Sequence, residues 1–124
     1  MHSLFRFSVF APLAALSCWA ADLPAPAQGT IDFAKDVQPI FAKNCYECHG
    51  EKKQKSDYRL DDRANAMKGG EVGKAPIVVG KSAESPLIQR VAGTNPDEVM
   101  PPKGEKLTAT QVGILRAWID QGAK

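Results

Sequence analysis

The sequence predicts an all-α fold of about three main helices joined by long loops, and three observations predict it. Apolar residues recur at three- and four-residue spacing in stretches 33–44, 86–92 and 108–119, which is the repeat of a helix with one buried face. No stretch alternates apolar and polar residues over the length of a strand. The intervening segments 50–81 and 95–106 are punctuated by glycine or proline and carry no long period.

At 124 residues the chain has a single-domain length. Residues 1–20 read as a secretory signal. Arg6 gives a short basic start, Val9 to Leu16 is apolar and uncharged, and Cys18-Trp19-Ala20 puts small residues where a signal peptidase reads. Cleavage after Ala20 and export to a periplasm are expected. The apolar stretch falls short of the ~20 residues that a spanning helix needs. Ala15-Leu16-Ser17-Cys18 loosely resembles a lipobox, so a lipoprotein anchored to the membrane through Cys18 is the alternative. Residues 21–31, with Pro24, Pro26 and Gly29 among alanines, are expected to be a flexible lead-in to a domain over 32–124.

Removal of residues 1–20 leaves 15 basic against 14 acidic side chains, a net charge of +1. That balance gives no sign of a nucleic-acid binder or an acidic tail. A domain this small often needs a staple. Of three cysteines, one lies in the signal and the other two are separated by two residues, so a disulfide framework is not expected. A cofactor at the centre of the core would meet the need.

The elements follow in order. Asp32 is a candidate cap for a helix over 33–44, with Phe33, Val37, Ile40 and Phe41 on its apolar stripe. Pro39 either kinks this helix or starts a tighter final segment. One short helix is allowed over Arg59 to Ala66, and Ile77-Val78-Val79 reads as a short extended piece. A loop-rich stretch as long as 50–81 is unusual in a compact domain unless it wraps something. Ser85 and Pro86 make a helix start that Gly93 ends. Thr108 and Gln111 form a T-x-x-Q capping box for the last helix, with Val112, Leu115, Trp118 and Ile119 on its stripe and Gly122 just past its end.

Cys45-Tyr46-Glu47-Cys48-His49 is C-x-x-C-H, the spacing of covalent haem attachment. Two thiols add across the two vinyl groups of a haem, and the next residue presents an imidazole to the iron. A thioredoxin-like pair expects a βαβ context that is absent from the pattern. A zinc site needs four ligands, and the exported chain offers Cys45, Cys48 and His49. A plain disulfide leaves His49 unexplained. With His2 lost, His49 is the only histidine, so the second axial ligand is expected to be a methionine, Met100 or Met67. Met100 precedes Pro101-Pro102, and a stiff loop holds a weak thioether ligand at low entropic cost. Met100 is therefore favoured, with Met67 and an open sixth site as alternatives.

The chain resembles the planctomycete-type cytochrome c domain, a branch of the class I cytochromes c, over roughly 31–123. The resemblance is carried by Asp36-Val37-Gln38-Pro39-Ile40, C-Y-E-C-H-G, Tyr58-Arg59-Leu60-Asp61-Asp62-Arg63, Ile77 to Ser85, Met100-Pro101-Pro102, and Leu107 through Trp118 to Ala123. It implies a class I cytochrome c-like fold around one covalent haem c, His49 and Met100 as axial ligands, and electron transfer rather than catalysis. Redox proteins would be the partners, including a larger dehydrogenase or a membrane complex, and nucleic acid would not. A haem module with an open sixth site, acting as a sensor or enzyme subunit, is the rival. Arg59, Arg63 and Trp118 are candidate donors to haem propionates, against plainer roles as solvated or core side chains. Lys52, Lys53 and Lys55 form a small basic patch beside the motif.

Overall fold

The computed structural model of the protein describes residues 23–70 and 73–124. The expected signal, with its alternative lipidation site Cys18, lies outside them. Among the described residues there are four α-helices, α1 (Gln38–Asn44), α2 (Arg63–Lys68), α3 (Pro86–Ala92) and α4 (Ala109–Asp120), and no strand. The fold is all-α, as expected, with α2 as the short helix beside the three main ones. None of the described helices is long and apolar enough to cross a membrane.

The first helical stretch is split at Pro39. Asp32 accepts from Lys35 N at 2.7 Å and caps a π-helical turn, Phe33–Val37. The Gln38 N–H reaches back to the Phe33 carbonyl, closing the wider loop, and α1 then starts with Pro39 in its first turn. Proline has no N–H to donate, so the tighter helix can only begin around it.

The second expected helix, over 59–66, forms four residues later. The Asp62 carboxylate accepts from Asn65 N at 2.9 Å and sets the start at Arg63. Leu60 N is already committed to the His49 carbonyl at 2.8 Å, which holds 58–60 out of the helix. Residues 77–79, expected to be extended, have no strand partner. Their neighbourhood is tied down bond by bond, through Leu87 N to Pro76 O (2.9 Å), Val78 N to Ser85 Oγ (2.9 Å) and Gly80 N to Ile119 O (2.9 Å).

Ser85 precedes α3 as expected, but its hydroxyl does not cap the helix. It accepts from Val78 N and donates to Lys81 O at 3.0 Å, so it pins the preceding loop while Pro86 starts the helix. Helix α4 carries the expected capping box: Gln111 N donates to Thr108 Oγ1 (3.1 Å) and Thr108 N to Gln111 Oε1 (2.9 Å). Its Val112, Leu115, Trp118 and Ile119 are buried. The Trp118 ring packs on Phe33 and Phe41 at centroid distances of 5.5 and 5.9 Å, joining the last helix to the first.

The lead-in, expected to be flexible, lies along α4. Ala27 N donates to Gly113 O (2.8 Å), and the Arg116 guanidinium donates to Pro24 O (2.6 Å). Gln121 accepts from Ile31 N (2.9 Å) and donates to Gly29 O (2.8 Å). A Cβ on Gly113 would stand 2.6 Å from Ala25 O, so only glycine lets the strap approach this closely.

Candidate functional site

The C-x-x-C-H motif leaves α1 as a further turn of helix. Cys45 N donates to Phe41 O at 2.8 Å, Cys48 N to Cys45 O at 3.2 Å, and His49 N to Cys45 O at 2.8 Å. Cysteines three apart on such a turn share one side of it. The two thiols are not joined to each other. Burial pushes the Cys45 thiol up to about 12. The hydroxyl of Tyr46, on the same turn, is buried without a hydrogen-bond partner.

The chain then turns sharply at Gly50, where a Cβ would meet the Tyr46 carbonyl oxygen at 2.5 Å. It doubles back, with Gly50 N donating to Lys53 O, Lys55 N to Cys48 O and Leu60 N to His49 O, each at 2.8 Å. This return brings Tyr58 against His49. The imidazole Nδ1 lies 3.1 Å from the Tyr58 carbonyl oxygen. A carbonyl only accepts, so Nδ1 carries the proton and the Nε2 lone pair stays open for a metal ion. The Tyr58 ring lies 5.6 Å from the imidazole. Burial raises the Tyr58 hydroxyl's pKa above the ordinary tyrosine value, with the Cys45 charge adding to it.

Met100 and Met67 are both half-buried against the same core. Met100 N donates to Arg90 O at 3.1 Å, which ties the loop to the end of α3. Lys106 Nζ donates to Pro101 O on its other side. Met67 sits on α2.

The candidate propionate donors have protein partners. Arg59 is paired with Asp61 (2.8 and 2.5 Å) and holds that carboxyl below the usual carboxylate range. Arg63 Nε donates to Ala123 O at 2.5 Å, and Trp118 Nε1 to Lys124 O at 3.0 Å. Lys52, Lys53 and Lys55 are exposed.

Among the described residues no group of three or more His, Cys, Asp and Glu side chains converges as a metal cage. The donor set instead fits a haem: two unpaired thiols on one turn and an imidazole held by Nδ1 with Nε2 open. Tyr58 was missed by sequence reasoning. Its signals were its place as an aromatic in the polar stretch 50–59 and at the head of Tyr58–Arg63, one of the stretches that carry the family resemblance.

No curated protein and no solved structure matches the chain. Residues 45–104 match the family model described as Planctomycete cytochrome C, which starts on Cys45 and runs past Met100. Over residues 45–104, 60 of its 124 residues, the chain is thus similar to the planctomycete cytochromes c, a family whose description points to haem binding and electron transfer.

Proposed function

We propose that this protein is an exported mono-haem c-type cytochrome that passes single electrons between redox proteins. Cys45 and Cys48 would hold the haem through thioethers, His49 Nε2 would ligate the iron, and the Met100 thioether would take the opposite axial position. Bound there, the haem supplies an iron that cycles between ferric and ferrous. The chain's part is to fix the ligands and exclude water. The observation that carries this reading is the Nδ1–H of His49 donating to the Tyr58 carbonyl at 3.1 Å. Such a bond sets the tautomer and ring direction of a metal-binding histidine and raises its basicity. In a chain whose two neighbouring thiols are unpaired, it leaves the Nε2 lone pair free to bind a metal.

A methionine opposite the histidine raises the potential by favouring ferrous iron. The near-neutral charge of the exported chain suits docking to protein partners better than to nucleic acid. One measurement tests attachment and export together: the intact mass of protein matured in a host that attaches haem. The expected mass is that of residues 21–124 plus one haem. A bare polypeptide mass would sink covalent attachment, retention of Met1 would sink cleavage, and a lipidated start at Cys18 would make the protein a membrane-anchored lipoprotein. Cys45→Ala with Cys48→Ala should abolish the attachment.

A further inference from the structure

Tyr58 makes more contact with the site than its place at the end of a polar loop requires. Its carbonyl accepts from His49 Nδ1, and its ring lies against the imidazole, tilted by 58°. Its hydroxyl donates to the Ala66 carbonyl at 2.9 Å. Ala66 is buried near the C-terminal end of α2, where a helix runs out of internal donors for its carbonyls. The phenol therefore caps α2 and is itself anchored by it.

The segment leading to Tyr58 is otherwise held by backbone bonds, Lys55 N to Cys48 O, Tyr58 N to Lys55 O and, just beyond it, Leu60 N to His49 O. Residues 51–57 are exposed, and Ser56 and Asp57 sit at positive φ, 55° and 54°. Those bonds set the course of the loop, and the phenol is the side-chain anchor of the residue whose carbonyl accepts from His49. The Cys45–His49 turn fixes the His49 backbone but not the rotation of its ring.

We propose that the Tyr58 side chain is a positioning residue for His49, its tether to Ala66 keeping the carbonyl on Nδ1 and Nε2 directed at the iron. This rests on the haem reading above. A loosened Nδ1–H bond makes the imidazole less basic, which stabilises ferric iron less and raises the reduction potential.

The test is Tyr58→Phe in the haem-loaded protein labelled with ¹⁵N-histidine. After loss of residues 1–20 His49 is the sole histidine, so its ring N–H is unambiguous. In the ferrous state, solvent exchange of that proton should speed up by about fivefold to tenfold, as loss of one hydrogen bond's support implies. The potential should rise, while amide exchange in α4 stays unchanged. A fluorotyrosine at position 58, a stronger donor that leaves the packing in place, should slow the exchange and lower the potential. Unchanged exchange and potential, even with a lower melting temperature, would show Tyr58 to be structural only and leave the haem reading intact. Equal acceleration in α4 would also overturn the inference, because the whole fold would be opening. A wild-type protein that takes up no haem would overturn both.

Discussion

Replacing Gly113 by alanine sets two physical effects against each other, and the structure decides the sign. Gly113 lies inside α4, where alanine is favoured over glycine by about 1 kcal/mol on helix propensity. The new Cβ would stand 2.6 Å from the Ala25 carbonyl oxygen, a backbone atom that can move only if the strap moves. Displacing the strap removes the Ala27 N–Gly113 O bond and the Arg116–Pro24 O bond. A neutral bond contributes about 1 kcal/mol and one from a charged donor about 1.5–3 kcal/mol, so roughly 2–4 kcal/mol is lost. The net expectation is destabilisation by about 1–3 kcal/mol, read from guanidinium unfolding of the holoprotein by far-ultraviolet circular dichroism. In a chain lacking residues 21–31 the same substitution should become stabilising, because only the propensity term remains. A Gly113→Ala protein of full length that gains about 1 kcal/mol would refute the argument and show that the strap does not rest on α4.

Two further outcomes follow from the site and its flanks. Met100→Ala should abolish the weak far-red charge-transfer band that sulfur–iron ligation gives the ferric state and lower the potential, while Met67→Ala should leave the band in place; the reverse result would move the ligand to α2, and a high-spin wild type would favour the open-site reading. Asp62→Asn should flatten the acid limb of the stability curve, measured by urea unfolding against pH. The Asn65 backbone N–H, and then its side-chain amide, hold the Asp62 carboxyl below its ordinary 3.8. The stabilisation is thus fully present above that value and lost as pH falls through the lower folded one. An unchanged acid limb would contradict that role for the cap.

Where a signal is local, the sequence was enough. C-x-x-C-H is contiguous, so its chemistry needs no tertiary partner to be read. Thr108, Gln111 and Gly93 act within one turn of the helices they bound, and the structure has them as the spacing predicts. Asp62 against Arg59 shows the limit. Both 59–66 and 63–68 are plausible short helices by composition, and the choice fell to Leu60 N, which pairs with His49 eleven residues earlier. Ser85 before Pro86 has the local pattern of a helix start with a capping hydroxyl. Its hydroxyl instead serves Val78 and Lys81, and nothing local to Ser85 specifies that.

By itself the sequence determined the helical class, the C-x-x-C-H motif at Cys45–His49 and the two candidate methionines, because periodicity and spacing are properties of neighbours along the chain. Tertiary structure alone decided that the alanine- and proline-rich lead-in lies along α4. Its bonds run from backbone groups to Gly113, Arg116 and Gln121 some ninety residues away, and a missing Cβ is what admits it. It alone decided, too, that Tyr58 holds His49. A carbonyl is present at every residue, so no residue type marks the one that accepts from the imidazole; only the fold back at Gly50 brings it there.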